Sequence, residues 1–73
     1  MKIHIEYCEK WNYHSDFARV SKLIKLIQPH ANIEGNSNPP RSGAFEVCLN
    51  NELVYSKFKT GDFPQEADIK NWF

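Results

Sequence analysis

Cysteine is scarce in this sequence: Cys8 and Cys48 are the only two among 73 residues. Two thiols are too few for a disulfide framework, and reducing compartments keep such thiols free. Charge of one sign is lacking too, since nine basic and nine acidic residues give a formal net charge of zero. A protein that tracks phosphate backbones carries a basic excess or stripe, so nucleic acid is not an expected partner. No apolar run approaches the ~18 residues that a membrane span needs. The opening Met1-Lys2-Ile3-His4-Ile5-Glu6 mixes charge into its apolar residues and lacks a signal-peptide core. These absences predict a cytoplasmic protein that does not engage a membrane.

What is present is ordinary for a globular chain, with hydrophobic residues at 41% and charged residues at 25%. That composition argues against disorder. The length allows one domain, 1-73, with a modest core. Ile3, Ile5 and Tyr7 alternate with Lys2, His4 and Glu6, which predicts a strand ending at Cys8. A helix is expected next, with Ser15 as N-cap and Asp16 in its first turn. Phe17, Val20, Ile24 and Ile27 recur at spacings of three and four and form its apolar stripe, with Leu23 beside them. Pro29 ends it. Ala31 to Glu34 is a short second strand, and Gly35 to Gly43 is a loop. Phe45, Val47 and Leu49 alternate with Ala44, Glu46 and Cys48 in a third strand, which places Glu46 on an exposed face. Asn50-Asn51 makes a turn, because Asn tolerates positive φ. Leu53 to Phe58 is the returning strand of that hairpin. Pro64 introduces a short last helix, whose apolar residues are Ala67, Ile69, Trp72 and Phe73. The order β-α-β-β-β-α predicts an α/β sandwich with a mixed sheet, the first two strands parallel.

Cys8 is the position that attracts chemistry, because it follows a buried strand and precedes a helix. Backbone N–H groups and a helix dipole converging there would lower its pKa and expose more thiolate, and Lys10 would add to this. The alternative is a small buried hydrophobe at a strand end. The chain reads Cys8-Glu9-Lys10-Trp11, so no second thiol stands at Cys-x-x-Cys spacing.

Tyr7-Cys8-x-x-Trp11, Ser42-Gly43-Ala44-Phe45-Glu46-Val47, Leu53-Val54-Tyr55-Ser56-Lys57 and Lys59-Thr60-Gly61-Asp62-Phe63-Pro64 resemble, in that order, the selenoprotein W-like (Rdx) family. The resemblance covers nearly the whole chain. It implies a thioredoxin-like fold and a Cys-x-x-selenocysteine or Cys-x-x-Cys motif after the first strand. It also implies a thiol oxidoreductase or glutathione-dependent antioxidant that exchanges with glutathione or client proteins. The departure is Trp11, which stands where the family has selenocysteine or cysteine. Some genetic codes read the selenocysteine codon as tryptophan. Either the chain is a natural one-cysteine member, or Trp11 marks a selenocysteine that was misread or replaced.

Cys8 is then the candidate catalytic residue and Trp11 the substituted motif position. Cys48 lies about four residues further along an antiparallel partner strand, roughly 13 Å away at ~3.3 Å per residue. A disulfide needs Cα atoms within ~7 Å, so Cys48 is read as structural and Cys8 as a monothiol. Trp11 and Phe63 are expected to form one exposed aromatic patch that could bind a protein. A non-catalytic thioredoxin-like adaptor is therefore the competing function. No cofactor is expected beyond glutathione as co-substrate, and the chain is expected to be a monomer. His4, His14, His30, Cys8 and Cys48 show no metal-ligand spacing, so no metal is expected. His14, six residues beyond Cys8, is read as a solvated histidine near the helix start, with assistance to the Cys8 thiolate as the alternative. Pro39-Pro40 precedes the hairpin, where a cis proline would face a redox cysteine in a thioredoxin-like fold.

Overall fold

The computed structural model describes residues 1–73. Four strands, β1 (Lys2–Tyr7), β2 (Asn32–Glu34), β3 (Phe45–Leu49) and β4 (Glu52–Ser56), form one sheet in the order β2-β1-β3-β4. Three helices, α1 (His14–Ile27), α2 (Lys57–Thr60) and α3 (Glu66–Lys70), complete the chain. β1 is parallel to β2 and antiparallel to β3, and β3 is antiparallel to β4. The sheet is mixed, as the strand–helix–strand crossover followed by a hairpin requires.

Alternation decides which face each strand residue takes. Ile3, Ile5, Phe45 and Val47 are fully buried, and they meet Val20 and Ile24 of α1 and Ile69 of α3 in one core. Phe17, Leu23 and Ile27 flank that core, so the helical stripe lies where its spacing puts it. The helix ends at Ile27, and the Gln28 N–H closes back on the Ile24 carbonyl before Pro29. The other sheet face carries no long helix. There His4 stands opposite Cys48 and Glu6 opposite Glu46.

Glu6 and Glu46 are like charges directly across a ladder, an arrangement that destabilises unless compensated. Arg41 compensates it. Its Nη2 is 2.8 Å from Glu6 Oε1 and 3.9 Å from Glu46 Oε1, and its backbone N–H donates to Glu6 Oε2 at 2.8 Å. Glu46 is not the exposed carboxylate expected from alternation alone; it is 6% exposed. It accepts from the Ser56 hydroxyl and, at 2.9 Å, from the Lys57 N–H. That second bond takes the backbone out of the ladder. The returning strand consequently stops at Ser56 rather than Phe58, and Lys57–Thr60 coils into α2. Gly61, at φ 77°, closes α2 in the left-handed region.

One further boundary and one core residue differ from expectation. α1 begins at His14 with Tyr13 as N-cap and no side-chain cap, so Ser15 lies inside the helix. The Tyr13 N–H donates to the Cys8 carbonyl at 3.3 Å, which sets where the chain turns into α1. Ala67 is exposed, leaving Ile69 as the buried anchor of α3 with Trp72 and Phe73 packed beside it. The Asn50-Asn51 turn is as expected, with φ of 47° and 71°.

The Gly35–Gly43 loop is tied down along its length. Asn36 acts as a strand residue would: its side-chain oxygen accepts the Tyr7 N–H and its amide donates to the Tyr7 carbonyl, both at 2.9 Å. Ser37 lies 3.3 Å from His4 and Arg41 grips Glu6, so the loop reaches Cys8 in a fixed path.

Two measurements test this packing. Ile24→Ala should cost ~2–5 kcal/mol in urea unfolding, whereas Leu26→Ala, at a side chain 72% exposed, should stay within ~0.5 kcal/mol. The hydrogen bond from Arg41 holds the Glu6 carboxyl below its usual value. That contribution to stability is complete above the unfolded carboxyl pKa of ~4.3 and disappears as pH falls through the lower folded value. Glu6→Gln should therefore lower stability slightly at pH 7 and flatten the acid limb of the Tm–pH curve. An unchanged acid limb would contradict the pairing.

Candidate functional site

Cys8 follows the last residue of β1, and its N–H donates to the Ala44 carbonyl at 2.9 Å. This bond extends the β1–β3 ladder by one rung and brings the Arg41–Ala44 turn beside the sulfur. The turn is closed by the Ala44 N–H donating to the Arg41 carbonyl at 3.2 Å. Gly43, inside it, has φ +76°, and its backbone N–H is among the groups that favour the Cys8 thiolate. The N–H groups of Trp11 and Lys10 approach the same atom from the loop after β1.

Three backbone donors around one sulfur favour its thiolate. The Gly43 N–H is the largest influence lowering the Cys8 pKa; burial opposes it, while Trp11, Lys10 and the Lys10 charge assist. The helix dipole is not needed, since α1 starts six residues beyond Cys8 and behind an intervening turn. Cys8 is 1% exposed, yet it lines a cleft of about 200 Å³ with Glu9, Lys10, Pro39, Pro40 and Ser42. Cys8 lies outside the core cluster, at a cleft on the rim of the fold. Pro39 and Pro40 do face the cysteine, in trans.

Trp11 is 60% exposed and rests on Gly43: a Cβ placed on that glycine would fall 3.0 Å from the indole Cζ3. Trp11 and Phe63 are linked through Tyr13 instead of touching as a pair. Ring centroids are 6.2 Å apart for Trp11–Tyr13 and 4.7 Å for Tyr13–Phe63. Phe63 continues inward to Phe45 at 5.4 Å, so it is half core and half surface. The sequence missed Gly43 as a site residue. Its only signal was a Ser-Gly pair just before the strand that begins beside Cys8.

The remaining chemistry-bearing residues disperse. Cys48 pairs across the ladder with His4, four positions from Cys8, and both cysteines are free. Burial first, and then the charges of Glu46 and Glu6, push the Cys48 thiol up. His14 packs toward Tyr7 and Phe17, with centroids at 5.9 and 6.0 Å. No group of three His, Cys, Asp or Glu side chains gathers at metal-binding distance. The largest cavity, about 470 Å³, lies on the opposite sheet face around Glu6, Arg41, Glu46, Cys48 and Phe58. Its carboxylates are already paired, so the smaller cleft at Cys8 is the better site. No helix is long and apolar enough to cross a membrane.

The sequence matches the Rdx family over residues 2–72. The chain belongs to this selenoprotein W-like family. It is 34% identical over 71 residues to selenoprotein W of Danio rerio, covering 96% of this chain and 81% of that protein. It is 35% identical over 69 residues to Migration and invasion enhancer 1 of Bos taurus, covering 94% of this chain but 58% of that protein's length. The chain thus spans little more than half of the latter. Among solved structures, a selenoprotein W-related protein of Vibrio cholerae superposes with a TM-score of 0.77 at 25% identity, covering 96% of this chain and 88% of that one. The α/β sandwich of this Rdx chain is accordingly a thioredoxin-like fold.

The two thiols of this Rdx protein should titrate in opposite directions. Site-resolved alkylation across pH is expected to modify Cys8 below the ordinary ~8.5 and Cys48 above it. Cys48 reacting at the lower pH would refute the assignment of the three N–H groups to Cys8.

Proposed function

We propose that this chain is a monothiol redox protein of the selenoprotein W type, with Cys8 as its nucleophile and glutathione or protein thiols as its exchange partners. The observation that carries this reading is the Cys8 sulfur itself, met by the Gly43, Trp11 and Lys10 N–H groups at the end of β1. Membership of a redox-related family supports it.

The exchange balances without any group beyond the two reactants. The Cys8 thiolate attacks one sulfur of a disulfide; a Cys8–S bond forms, the old S–S bond breaks, and the second sulfur leaves as a thiolate. An external thiolate then attacks the mixed disulfide and returns Cys8. A neighbouring thiol would make the second step internal. Trp11 supplies none, and Cys48 lies four ladder positions away.

The exposure of Trp11 favours a second reading, in which the chain is a non-catalytic adaptor that grips a protein through Trp11, Tyr13 and the outer edge of Phe63. One experiment separates the two. The reduced protein is incubated with oxidised glutathione at pH 7 and its mass recorded, alongside Cys8→Ser. Exchange predicts one glutathionyl group on the parent and none on the variant. A parent that stays unmodified while a Trp11→Ala change abolishes partner binding would favour the adaptor. Trp11→Cys, which recreates Cys-x-x-Cys, should form an internal disulfide on oxidation that the parent lacks. The genomic codon for position 11 distinguishes a native tryptophan from a replaced selenocysteine.

A further inference from the structure

Trp11 occupies a curious position: it is 60% exposed, yet the residue it covers, Gly43, is buried. The atoms nearest a Cβ built on Gly43 are all from this indole: Cζ3 at 3.0 Å, Cη2 at 3.6 Å and Cε3 at 3.8 Å. Gly43 is therefore required twice, once for its φ of +76° and once because any side chain would meet the ring. The Cys8 N–H is bonded to the carbonyl of Ala44, the residue after Gly43, so Cys8 lies beside the turn that the indole covers. The N–H groups of Gly43, Trp11 and Lys10 all favour its thiolate.

We propose that Trp11 is a positioning residue: its indole, seated on Gly43, holds the Arg41–Ala44 turn against Cys8 and so keeps the Gly43 N–H on the sulfur. This rests on the reading of Cys8 as the nucleophile and gives that site a third wall. The turn has few other restraints at this point. Arg41 anchors its start to Glu6, the Cys8 N–H anchors its end at Ala44, and the Ala44 N–H closes it on the Arg41 carbonyl, but none of these bonds is made by Gly43 itself. A peptide N–H between two anchored neighbours can still rotate away from an acceptor, particularly at a glycine. The Cζ3 edge of the indole removes that freedom by filling the space beside the Gly43 Cα into which the turn would swing. Trp11 thereby acts on the thiol at the position where a Cys-x-x-Cys protein would carry its resolving sulfur. It does so by packing rather than by bond exchange.

The test is the pH profile of Cys8 alkylation in Trp11→Ala and Trp11→Phe, with Cys48 read in the same samples as an internal reference. Alkylation rate follows thiolate fraction, and one unit of pKa is tenfold in that fraction at low pH. Trp11→Ala should lower the Cys8 rate at pH 6 by about threefold to tenfold and leave the rate at pH 10 unchanged. Trp11→Phe, which restores an aromatic ring edge beside Gly43, should recover most of the loss. The proposal is overturned if the Trp11→Ala profile superimposes on that of the parent. It is equally overturned if Phe fails to rescue while the Cys48 profile stays in place. Should the Cys48 profile move in Trp11→Ala, that variant has lost its fold, and Trp11→Phe against Trp11→Leu then decides by the same criterion of ring rescue. A parent Cys8 that already titrates at ~8.5 would sink the nucleophile reading itself, whatever the Trp11 variants do.

Discussion

The hydrogen bond from the Cys8 N–H to the Ala44 carbonyl, 2.9 Å long, is the last rung between β1 and β3. One bond is worth only ~0.5–1.5 kcal/mol net, but its placement determines the site. It is the point at which a packed sheet hands over to two loops, Glu9–Asn12 after β1 and Arg41–Ala44 before β3. Without it, Gly43 has no reason to lie beside Cys8, and the three N–H groups do not converge. The rung in turn depends on register. Ile5 opposite Val47 and Ile3 opposite Leu49 fix that register, because a slip by one residue would turn Ile3, Ile5, Phe45 and Val47 out of the core.

The opposite sheet face shows how the same constraint is managed without a covering helix. Register sets Glu6 across from Glu46, and the chain answers with Arg41, drawn from the very loop that leads to Gly43. Electrostatic repair of the sheet face and thiolate stabilisation at its rim are thus performed by neighbours two residues apart, Arg41 and Gly43. Cys48 lies on the repaired face, near two carboxylates, and Cys8 lies at the rim, among N–H donors. The contrast between the two thiols comes from placement, since both belong to the same pair of strands.

The fold was legible because period two and period 3.6 are read directly from residue type. Ile3 and Ile5, Phe45 and Val47, and Val20 and Ile24 all lie where their spacing places them. The boundaries that moved were those set by tertiary bonds. β4 ends at Ser56 because Glu46, ten residues earlier in the chain, claims the Lys57 N–H. α1 begins at His14 because Tyr13 is held by the Cys8 carbonyl, with no side-chain cap to announce it. At the site, Cys8 could be read from its place at a strand end, and its separation from Cys48 from ladder arithmetic. Gly43 could not, because its role is a backbone N–H directed across a sheet, and no side chain marks it. Trp11 was visible as a substitution, but its contact with Gly43 depended on the path of a loop 30 residues downstream.

The path of β1 has a further consequence. Its first residue, Lys2, exchanges bonds with Asn50 at the hairpin turn, and its last is adjacent to Cys8. At ~3.3 Å per residue the strand spans roughly 20 Å, in a molecule whose principal extents are 29 × 23 × 22 Å. The fold therefore has two poles, a reactive one at Cys8 and an inert one at the Asn50-Asn51 turn. Cargo attached at the inert pole would leave the sulfur facing outward, so that tethering to a surface would present every copy with the same orientation.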